Sequence, residues 1–467
     1  MQIPILNGIY VDQAADFRTS YPRNVVPVPK GTGISEGYLA PADGLQADGT
    51  GPGVDRGAWE WNGTEYRVMG TKLCRIDANN AITILGDVGG TGQVTMDNSF
   101  DVLGIASGGK LWYWDGATLD YVTDPDIGNV VDMRWIAGYW MFTDGVFIGV
   151  TELNNRYAVN PLKYGSAEVD PDPVKGVDEL RNEAYVLGRY TIEVFQNVGG
   201  DNFPFQRDDG AMVPRGVIGT HSYCPVSNGT FAFLGSGKGE PPGVYLMTPG
   251  DSQPISTREI DIILKRYTEA QLAQAVMEER ADEGHVSIYL HLPDQCLVYD
   301  LAASASVKEP VWYTLTSSVV GLGTYRARNL CWCYDRWNVG DPTSNTYGRL
   351  VNTTMEHYGQ TVGWEFGTLI VYNEGRGAIV HEMELVGTPG RVPLGANPVI
   401  WTSYSLDGET WSQERSTSAG RQGERNKRIA WRKLGTMRLY RMQRFRGTSD
   451  ARMSFARLEA QLEPLNG

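Results

Sequence analysis

The chain has 467 residues, and its 55 Asp and Glu residues outnumber its 41 Lys and Arg residues, for a formal net charge of −14. This length exceeds what one hydrophobic core usually holds, so two or more domains are expected. The negative charge argues against a protein that coats nucleic acid, because that role needs a basic surface. No run of about 18 apolar residues occurs, so no membrane span is expected, and the first residues lack the features of a signal peptide.

Residues 1–53 are rich in Pro and Gly and show little hydrophobic periodicity. The sequence predicts an N-terminal arm here. Two interpretations stay open: a flexible segment, or an arm that becomes ordered against a neighbouring subunit.

Residues 54–355 contain a loose repeat of two strands joined by a glycine turn. The clearest copies are 66–76, 102–113, 140–148 and 184–192. Their turn glycines, Gly70, Gly109, Gly145 and Gly188, lie about 35–45 residues apart, which is the spacing of propeller blades, and glycine supplies the positive φ of a tight turn. The pattern favours a mainly β fold with a β-propeller, six blades being the first choice and seven the second. A β-sandwich with similar hairpins is the alternative.

A helical insertion is predicted at about 256–282. Two capping boxes, Ser256 with Glu259 and Thr268 with Gln271, mark helix starts. After the second box, an apolar stripe is predicted to continue the helix and then give way to a hairpin, 286–299. The stripe residues are Leu272, Ala275, Val276 and Glu279.

Residues 356–467 show alternating strands with broader loops, which predicts a C-terminal β-sandwich-like module. Residues 405–411, Ser-Leu-Asp-Gly-Glu-Thr-Trp, join two of these strands by an Asp-Gly turn. This turn resembles the structural turn of sialidase-like and carbohydrate-binding β proteins, where a single copy implies no activity.

No pattern of catalytic, cofactor-binding or metal-ligating residues is present. The sequence has no nucleophile elbow, Walker or dinucleotide fingerprint, or HExxH motif. Cys331 and Cys333 lack a second ligand pair, and five scattered cysteines are typical of reduced thiols in a cytoplasm. Asp170, Asp172 and Asp178 are interpreted as a solvated loop in preference to a calcium site. We therefore predict no enzyme, cofactor or metal.

Several motifs resemble the hub proteins of short-tailed phages, which are also called tail accessory or packaged-DNA stabilisation proteins. The motifs are a turn at 250–255, a Tyr-Thr-Glu helix start at 267–269, a His-Leu-Pro hairpin at 291–293 that leads into Leu-Val-Tyr-Asp, and the C-terminal run RIAWRKLGTMRLYRMQRFR. The resemblance implies a virion tail protein, assembled in the host cytoplasm, that forms a ring, in first expectation a homo-hexamer. It also implies contacts with a portal-adaptor protein, a tail needle and tailspikes or fibres, with genomic DNA passing through without sequence-specific binding.

The C-terminal segment Arg421–Arg457 is strongly basic. It holds twelve cations against Glu424 and Asp450, a net charge of 12 − 2 = +10. Because guanidinium groups hold carboxylates in a bidentate manner, we predict a surface that docks onto acidic neighbours. A DNA-contacting lining and a solvated strand face are the alternatives. The predicted docking residues are Arg438, Arg441, Arg444, Arg446, Arg428 and Arg432.

By its resemblance to the phage hub proteins, the chain is predicted to be a tail hub, or nozzle, below the portal. It closes the DNA exit channel, stabilises packaged DNA and seats the needle and tailspikes or fibres. The acidic remainder of the chain predicts a lumen that repels phosphate. The alternative is a carbohydrate-binding or glycan-degrading tail propeller. A cellular scaffold propeller is disfavoured, since no WD or kelch signature is present.

Overall fold

The computed structural model of the chain is a β-propeller joined to a β-sandwich, and this confirms the predicted fold class. It describes all residues except 1, 4, 6–8, 11–18, 21, 30–36, 154, 168–171, 201, 374–375, 408–409 and 466–467. Among the helices that the structure describes, none has the length and apolar character of a membrane-spanning segment.

Over the residues that the structure describes, the propeller has seven blades, each an antiparallel sheet of four strands, with a fifth strand in blade five. Seven, the second choice from the sequence, is thus the observed number. The first four blades are built from consecutive strands. Blade one is Asp55–Trp61, Thr64–Met69, Lys72–Ile76 and Ile82–Asp87; blade two is Thr95–Asn98, Leu103–Ser107, Lys110–Trp114 and Leu119–Tyr121; blade three is Asp132–Ile136, Tyr139–Thr143, Phe147–Glu152 and Asn155–Ser166; blade four is Val174–Leu180, Glu183–Gly188, Ile192–Asn197 and Phe205–Arg207.

The remaining blades follow the same order until the last one. Blade five is Gly216–Val217, Tyr223–Val226, Thr230–Ser236, Gly243–Thr248 and Asp251–Pro254; blade six is Val276–Asp282, His285–Leu292, Gln295–Asp300 and Trp312–Leu315; blade seven is Arg328–Cys333, Arg336–Gly340, Thr346–Val351 and, at its outer edge, Gly44–Thr50. The N-terminal strand therefore closes the ring, because it completes the sheet that the last propeller strands begin.

The turn glycines behave as predicted at three of four positions. Gly70, Gly109 and Gly145 have positive φ. Gly188 does not, and it ends a strand instead. A Cβ there would lie 2.8 Å from Asp172 Oδ2 and 2.9 Å from the carbonyl oxygen of Thr191, so close packing is what requires glycine at this position.

The helical insertion is shorter than predicted. It consists of α1, Arg258–Leu264, and α2, Glu269–Leu272, and the Thr268–Gln271 capping box is present at α2. The predicted capping box of Ser256 and Glu259 is wrong, because the N-cap residue of α1 is Thr257. The stripe continued through Val276 and Glu279 is also wrong as a helix, because Val276–Asp282 pairs with His285–Leu292 as the innermost strand of blade six. A further helix that was not predicted, α3, spans Leu301–Val307.

Two sheets form the sandwich, and the N-terminal residues contribute to the first. Sheet one holds Gln2–Ile3, Val25–Pro29, Gly37–Pro41, Ala378–Gly387, Ala430–Arg432, Thr436–Met437 and Phe455–Pro464; sheet two holds Gly363–Gly367, Val371–Tyr372, Val399–Ser405, Arg415–Ser418 and Tyr440–Thr448. The core between them is aromatic: Trp364 and Phe366 of sheet two lie 4.9 and 5.1 Å, centroid to centroid, from Phe455 of sheet one.

The predicted arm therefore supplies strands to both domains over its described residues, and the rest of the arm lies outside them. A small hairpin, Ile9–Tyr10 with Thr19–Ser20, is also present. Asn24 links the domains: its side-chain amide donates to the carbonyl oxygens of Thr316 at 2.9 Å and Gly363 at 2.7 Å, and its side-chain oxygen accepts from Thr316 N. The sandwich is thereby joined to the propeller beside blades six and seven.

Candidate docking surface and the propeller centre

The basic segment Arg421–Arg457 crosses both sheets of the sandwich, so its cations lie on different surfaces. Arg428 and Arg432 accompany the strand Ala430–Arg432 of sheet one. Arg441, Arg444 and Arg446 belong to the strand Tyr440–Thr448 of sheet two. The six predicted docking residues are thus not one continuous patch.

On sheet one, the arginines pair with glutamates of the neighbouring strand. Arg428 Nη2 lies 2.5 Å from both Glu382 Oε1 and Glu384 Oε2, and Arg432 Nε lies 2.7 Å from Glu382 Oε2. The hydrogen bonds from Arg432 and Arg428 lower the pKa of Glu382, so this carboxylate stays charged. Both arginine side chains are more than half exposed, at 55% and 70%. A partner that approached them would meet both signs of charge.

On sheet two, Arg444 and Arg446 share one carboxylate and lie over aromatic rings. Arg446 is paired with Glu414, and Arg444 Nη2 lies 4.0 Å from the same residue. The Arg444 guanidinium is 4.4 Å from the ring centroid of Trp411, a distance at which cation–π attraction operates. These two arginines are therefore partly neutralised and held in place by their own chain.

The Arg441 side chain is fully buried, so it is not accessible to a docking partner in this fold. Its Nη1 donates to the carbonyl oxygen of Leu434 at 2.7 Å and its Nε donates to Gln443 Oε1 at 3.0 Å. Its guanidinium lies 3.8 Å from the ring centroid of Tyr404. Burial lowers the pKa of Arg441 to about 10. Arg438, by contrast, is exposed and makes no ion pair with a described residue.

Cations that the sequence reasoning did not select lie in two adjoining loops at one end of the sandwich. Gly423 N donates to the carbonyl oxygen of Gly390 at 3.2 Å, which holds loop 420–427 against loop 388–397. Their exposed cations form no ion pair with any described residue, and we call the two loops the basic loop pair: its cations are Arg391, Arg421, Arg425 and Lys427. Counting side-chain charges alone cannot separate these cations from the paired arginines of the sheets.

The centre of the propeller is polar, and its buried charged side chains help to connect neighbouring blades. Arg67 of blade one is fully buried; its Nε lies 2.5 Å from Glu65 Oε1 and its Nη1 lies 2.9 Å from Asp55 Oδ2. Its Nη2 donates to the carbonyl oxygen of Asn329 in blade seven at 3.0 Å, and Tyr347 Oη of blade seven donates to Glu65 Oε2 at 3.0 Å. These contacts hold together the first and last blades.

A second buried network joins blades two to five. Arg134 Nε lies 2.8 Å from Asp178 Oδ1, so Asp178, predicted in a solvated loop, is a buried partner; Asp170 lies outside the described residues. Asp132 accepts hydrogen bonds from Thr95 Oγ1 and, at 3.0 Å, from Val177 N. Burial raises the pKa of Asp132 to about 6.

The axial cavity beside these networks has a volume of about 330 Å³, and Trp59, Arg134, His221 and Glu278 are among its lining residues. Burial lowers the pKa of His221 to about 4, so this imidazole is neutral at pH 7. Within the described ranges, no three His, Cys, Asp or Glu side chains are grouped as metal ligands. The charged groups of the two networks serve blade packing, since their partners belong to neighbouring strands and blades.

Cys331 and Cys333 lie on the same face of their strand, as predicted, and both are buried. Burial raises the pKa of the Cys331 thiol. A protonated, inaccessible thiol is a poor metal ligand and a poor nucleophile.

Fold and surface together define a seven-bladed propeller whose ring is closed by an N-terminal strand and which is joined to a sandwich that the same N-terminal segment completes. The family model described as "Bacteriophage P22 Gp10, beta-propeller" matches residues 1–355, and the model described as "Bacteriophage P22 Gp10, beta-sandwich" matches residues 363–463. The chain belongs to the phage P22 Gp10 family.

A curated relative supports this membership over nearly the full length. The tail hub protein gp10 of Salmonella phage P22 is 26% identical over an alignment of 462 residues, and the match covers 94% of this chain and 94% of the relative. The family predicted from the sequence motifs is therefore confirmed.

Two similar solved structures have low sequence identity to the chain and TM-scores below 0.5. The extracellular domain of a one-component system from B. thetaiotaomicron has a TM-score of 0.44 and 11% identity, with coverage of 85% of this chain and 56% of that chain. The Pan2 WD40 domain of Neurospora crassa has a TM-score of 0.41 and 9% identity, with coverage of 64% and 90%. These low scores carry no functional argument.

Proposed function

We propose that the chain is a structural protein of a phage tail and forms the hub, or nozzle, below the portal and its adaptor. The observation that carries this proposal is the family match over both domains, together with a relative named a tail hub protein that aligns over 94% of each chain. In this role the chain closes the DNA exit channel, stabilises packaged DNA and seats the needle and the tailspikes or fibres.

The assembly we propose is a homo-oligomeric ring, in first expectation a hexamer, on the portal adaptor. Support comes from the way the N-terminal strands complete both domains, because a rigid two-domain unit suits a ring that keeps a channel closed. Arg23 contributes to that rigidity: its backbone N–H donates to the carbonyl oxygen of Glu365 at 2.8 Å, and its guanidinium donates to Ser318 O at 3.3 Å. The mechanism is steric and electrostatic, with no covalent step.

The proposed docking surface changes once side-chain partners are considered. Arg428, Arg432, Arg444 and Arg446 are candidates for contacts in which a partner carboxylate replaces or shares the internal one. Arg438 remains a candidate without an internal partner among the described residues. Genomic DNA would pass a channel lined by acidic loops, which repel phosphate groups.

The test is the mass and symmetry of the purified full-length chain, alone and mixed with the portal and adaptor rings, measured by native mass spectrometry and negative-stain microscopy. We expect one ring of this chain on the portal–adaptor complex. If the chain does not bind this complex but is retained on a host glycan, the proposal is overturned and a glycan-binding tail protein is favoured. A portal preparation without the adaptor is the matched control, and it should bind no ring.

A further inference from the structure

The basic loop pair is an end of the sandwich where cations lack internal partners among the described residues. Arg391, Arg421, Arg425 and Lys427 are all exposed, and Glu424 is the single acidic residue among them, for a net charge of 4 − 1 = +3. The sheet arginines a few residues away are paired with glutamates of their own chain. The sheet cations are thus neutralised within the chain, whereas the loop cations remain available to a partner.

The same loops also expose an apolar side chain. Leu394, at the tip of loop 388–397, is 88% exposed. Val392, two residues earlier, is buried and fixes the loop to the sandwich core. An exposed aliphatic group within a polar, charged surround is typical of the centre and rim of a protein interface.

A complementary acidic surface lies on blade two of the propeller. The stretch 115–131 contains four Asp residues and no Lys, Arg or His. They lie in the outer turns and outer strand of the blade, and we call them the blade-two acids: Asp115, Asp120, Asp124 and Asp126.

Only a small part of this negative charge is neutralised by neighbours. Lys110 lies 3.8 Å from the ring centroid of Tyr121, next to Asp120. Arg156 is 2.8 Å from Asp101, at the neighbouring turn of blade two. With Asp101 counted, five acids and two cations give 2 − 5 = −3, which matches the +3 of the basic loop pair.

The two surfaces belong to different parts of the molecule. The sandwich joins the propeller beside blades six and seven through Asn24 and Gly363, whereas the blade-two acids lie on the far side of blade one from that junction. Among the described residues, no ion pair joins the two surfaces within one chain. Two different, complementary patches on one subunit make a head-to-tail contact, and repetition of such a contact closes into a ring when the rotation between subunits allows it.

We propose that the basic loop pair of one subunit docks onto the blade-two acids of a second copy of this chain. This inference rests on the proposed function in one respect, namely that copies of the chain form a ring. It adds the two surfaces through which neighbouring copies make contact. The contact is electrostatic in origin, with Leu394 as an apolar contact inside it. It therefore weakens with salt, since exposed charges are screened over about 8–10 Å at physiological ionic strength.

The test reverses the charge on each surface separately in the full-length chain. One variant is R425E/K427E and the other is D120K/D126K; none of these four side chains makes a described ion pair. A matched control, K265E/R266E, reverses two exposed cations beside α1. Self-association is measured by sedimentation velocity at about 50 mM and about 500 mM salt.

Wild-type chain and the K265E/R266E control should self-associate at low salt and lose about tenfold or more in affinity at high salt. Each single-surface variant alone should lose about tenfold or more even at low salt. An equimolar mixture of the two variants should recover association, because each reversed surface then meets a reversed partner and each native surface meets a native one.

Three results would overturn the inference: no self-association of the wild-type chain, unchanged association of either variant, or a mixture that fails to recover. Loss of duplex-DNA binding in R425E/K427E, with self-association intact, would assign the loops to DNA instead. The same variants are then placed on the portal–adaptor complex. A ring that forms there regardless of both reversals contradicts this interface and leaves the proposed hub function standing; no ring from wild-type chain contradicts the hub function itself.

Discussion

Replacement of Arg67 by Met tests whether the buried charged cluster of blade one, through its hydrogen bonds to blade seven, holds the propeller closed. The Arg67 side chain is fully buried between two buried carboxylates, Asp55 and Glu65, and it also donates to the carbonyl oxygen of Asn329 in blade seven. Met has a similar length and no charge, so the substitution removes the cation with little change in volume.

The expected destabilisation follows from what the cation leaves behind. Removal of one partner of a buried pair costs about 3–5 kcal/mol, because the other charge stays buried and unpaired. Burial raises the pKa of Asp55 and of Glu65, and the Arg67 charge opposes that rise. Without Arg67 both pKa values rise further, and the hydrogen bonds from Asn329 to Asp55 and from Tyr347 to Glu65 oppose only part of that rise. The destabilisation is therefore greatest above the raised pKa values and shrinks as the pH falls through them and the carboxyl groups become protonated.

The assay is thermal unfolding of wild-type and variant chains, followed by circular dichroism at pH 7 and at pH 5. About 4 kcal/mol corresponds to about 6 °C, if unfolding of a propeller of about 300 residues carries about 2.1 cal/mol/K per residue. The triple variant that also carries Asp55→Asn and Glu65→Gln should recover most of the loss. If the thermal midpoint of the variant falls by less than about 1 °C at pH 7, or falls by more at pH 5 than at pH 7, the reasoning is refuted.

Three further predictions concern single sites. Gly363→Ala should loosen the junction between sandwich and propeller, because the added Cβ would lie 1.8 Å from the Val319 carbonyl oxygen. Limited proteolysis should then cleave the chain between the two domains faster than in the wild type, and cleavage at the wild-type rate would contradict this. The hydrogen bond to Asp300 raises the pKa of His285. The protonated His285 therefore stabilises the fold below the ordinary histidine pKa, and this stabilisation is lost as the pH rises through the raised value. His285→Asn should lower the thermal midpoint at about pH 5.5 more than at about pH 8.5, and an equal loss at both pH values would contradict this. Arg441→Met should cost about 1–3 kcal/mol in denaturant unfolding, because two buried acceptors lose their donor, and should leave ring assembly unchanged; weakened assembly at unchanged stability would restore Arg441 as a docking residue.

The local features of the propeller could be predicted from the sequence because each depends on neighbouring residues. The strands Thr64–Met69 and Lys72–Ile76 are rich in apolar side chains on either side of a glycine turn, and the chain folds there as predicted. A similarly local signal is the capping box of Thr268 and Gln271, which fixes the start of α2.

Features that depend on distant partners could not be predicted in the same way. Val276–Asp282 is rich in helix-forming residues such as Met, Glu and Arg, yet it is a strand because pairing with His285–Leu292 and the neighbouring blades outweighs its helix propensity. The sequence favoured six blades over seven because the outer strand of the seventh blade, Gly44–Thr50, comes from the other end of the chain.

The docking residues show both the value and the limit of charge counting. The sequence identifies a basic segment, but the glutamates that neutralise Arg428 and Arg432 come from Ala378–Gly387, which lies 44 to 50 residues earlier at the paired positions. For Arg441, alternation along the strand was a usable signal: it shares a face with Phe445, whereas Arg444 and Arg446 point the other way.

The most direct test of the hub assignment is the position of this chain in the phage particle. A small tag at the C-terminus, labelled with nanogold and imaged in purified virions by electron microscopy, reports that position. We expect gold at the tail vertex, close below the portal, and empty heads in particles assembled without the chain. Gold at the distal ends of spikes or fibres, or DNA-filled heads without the chain, would contradict the assignment.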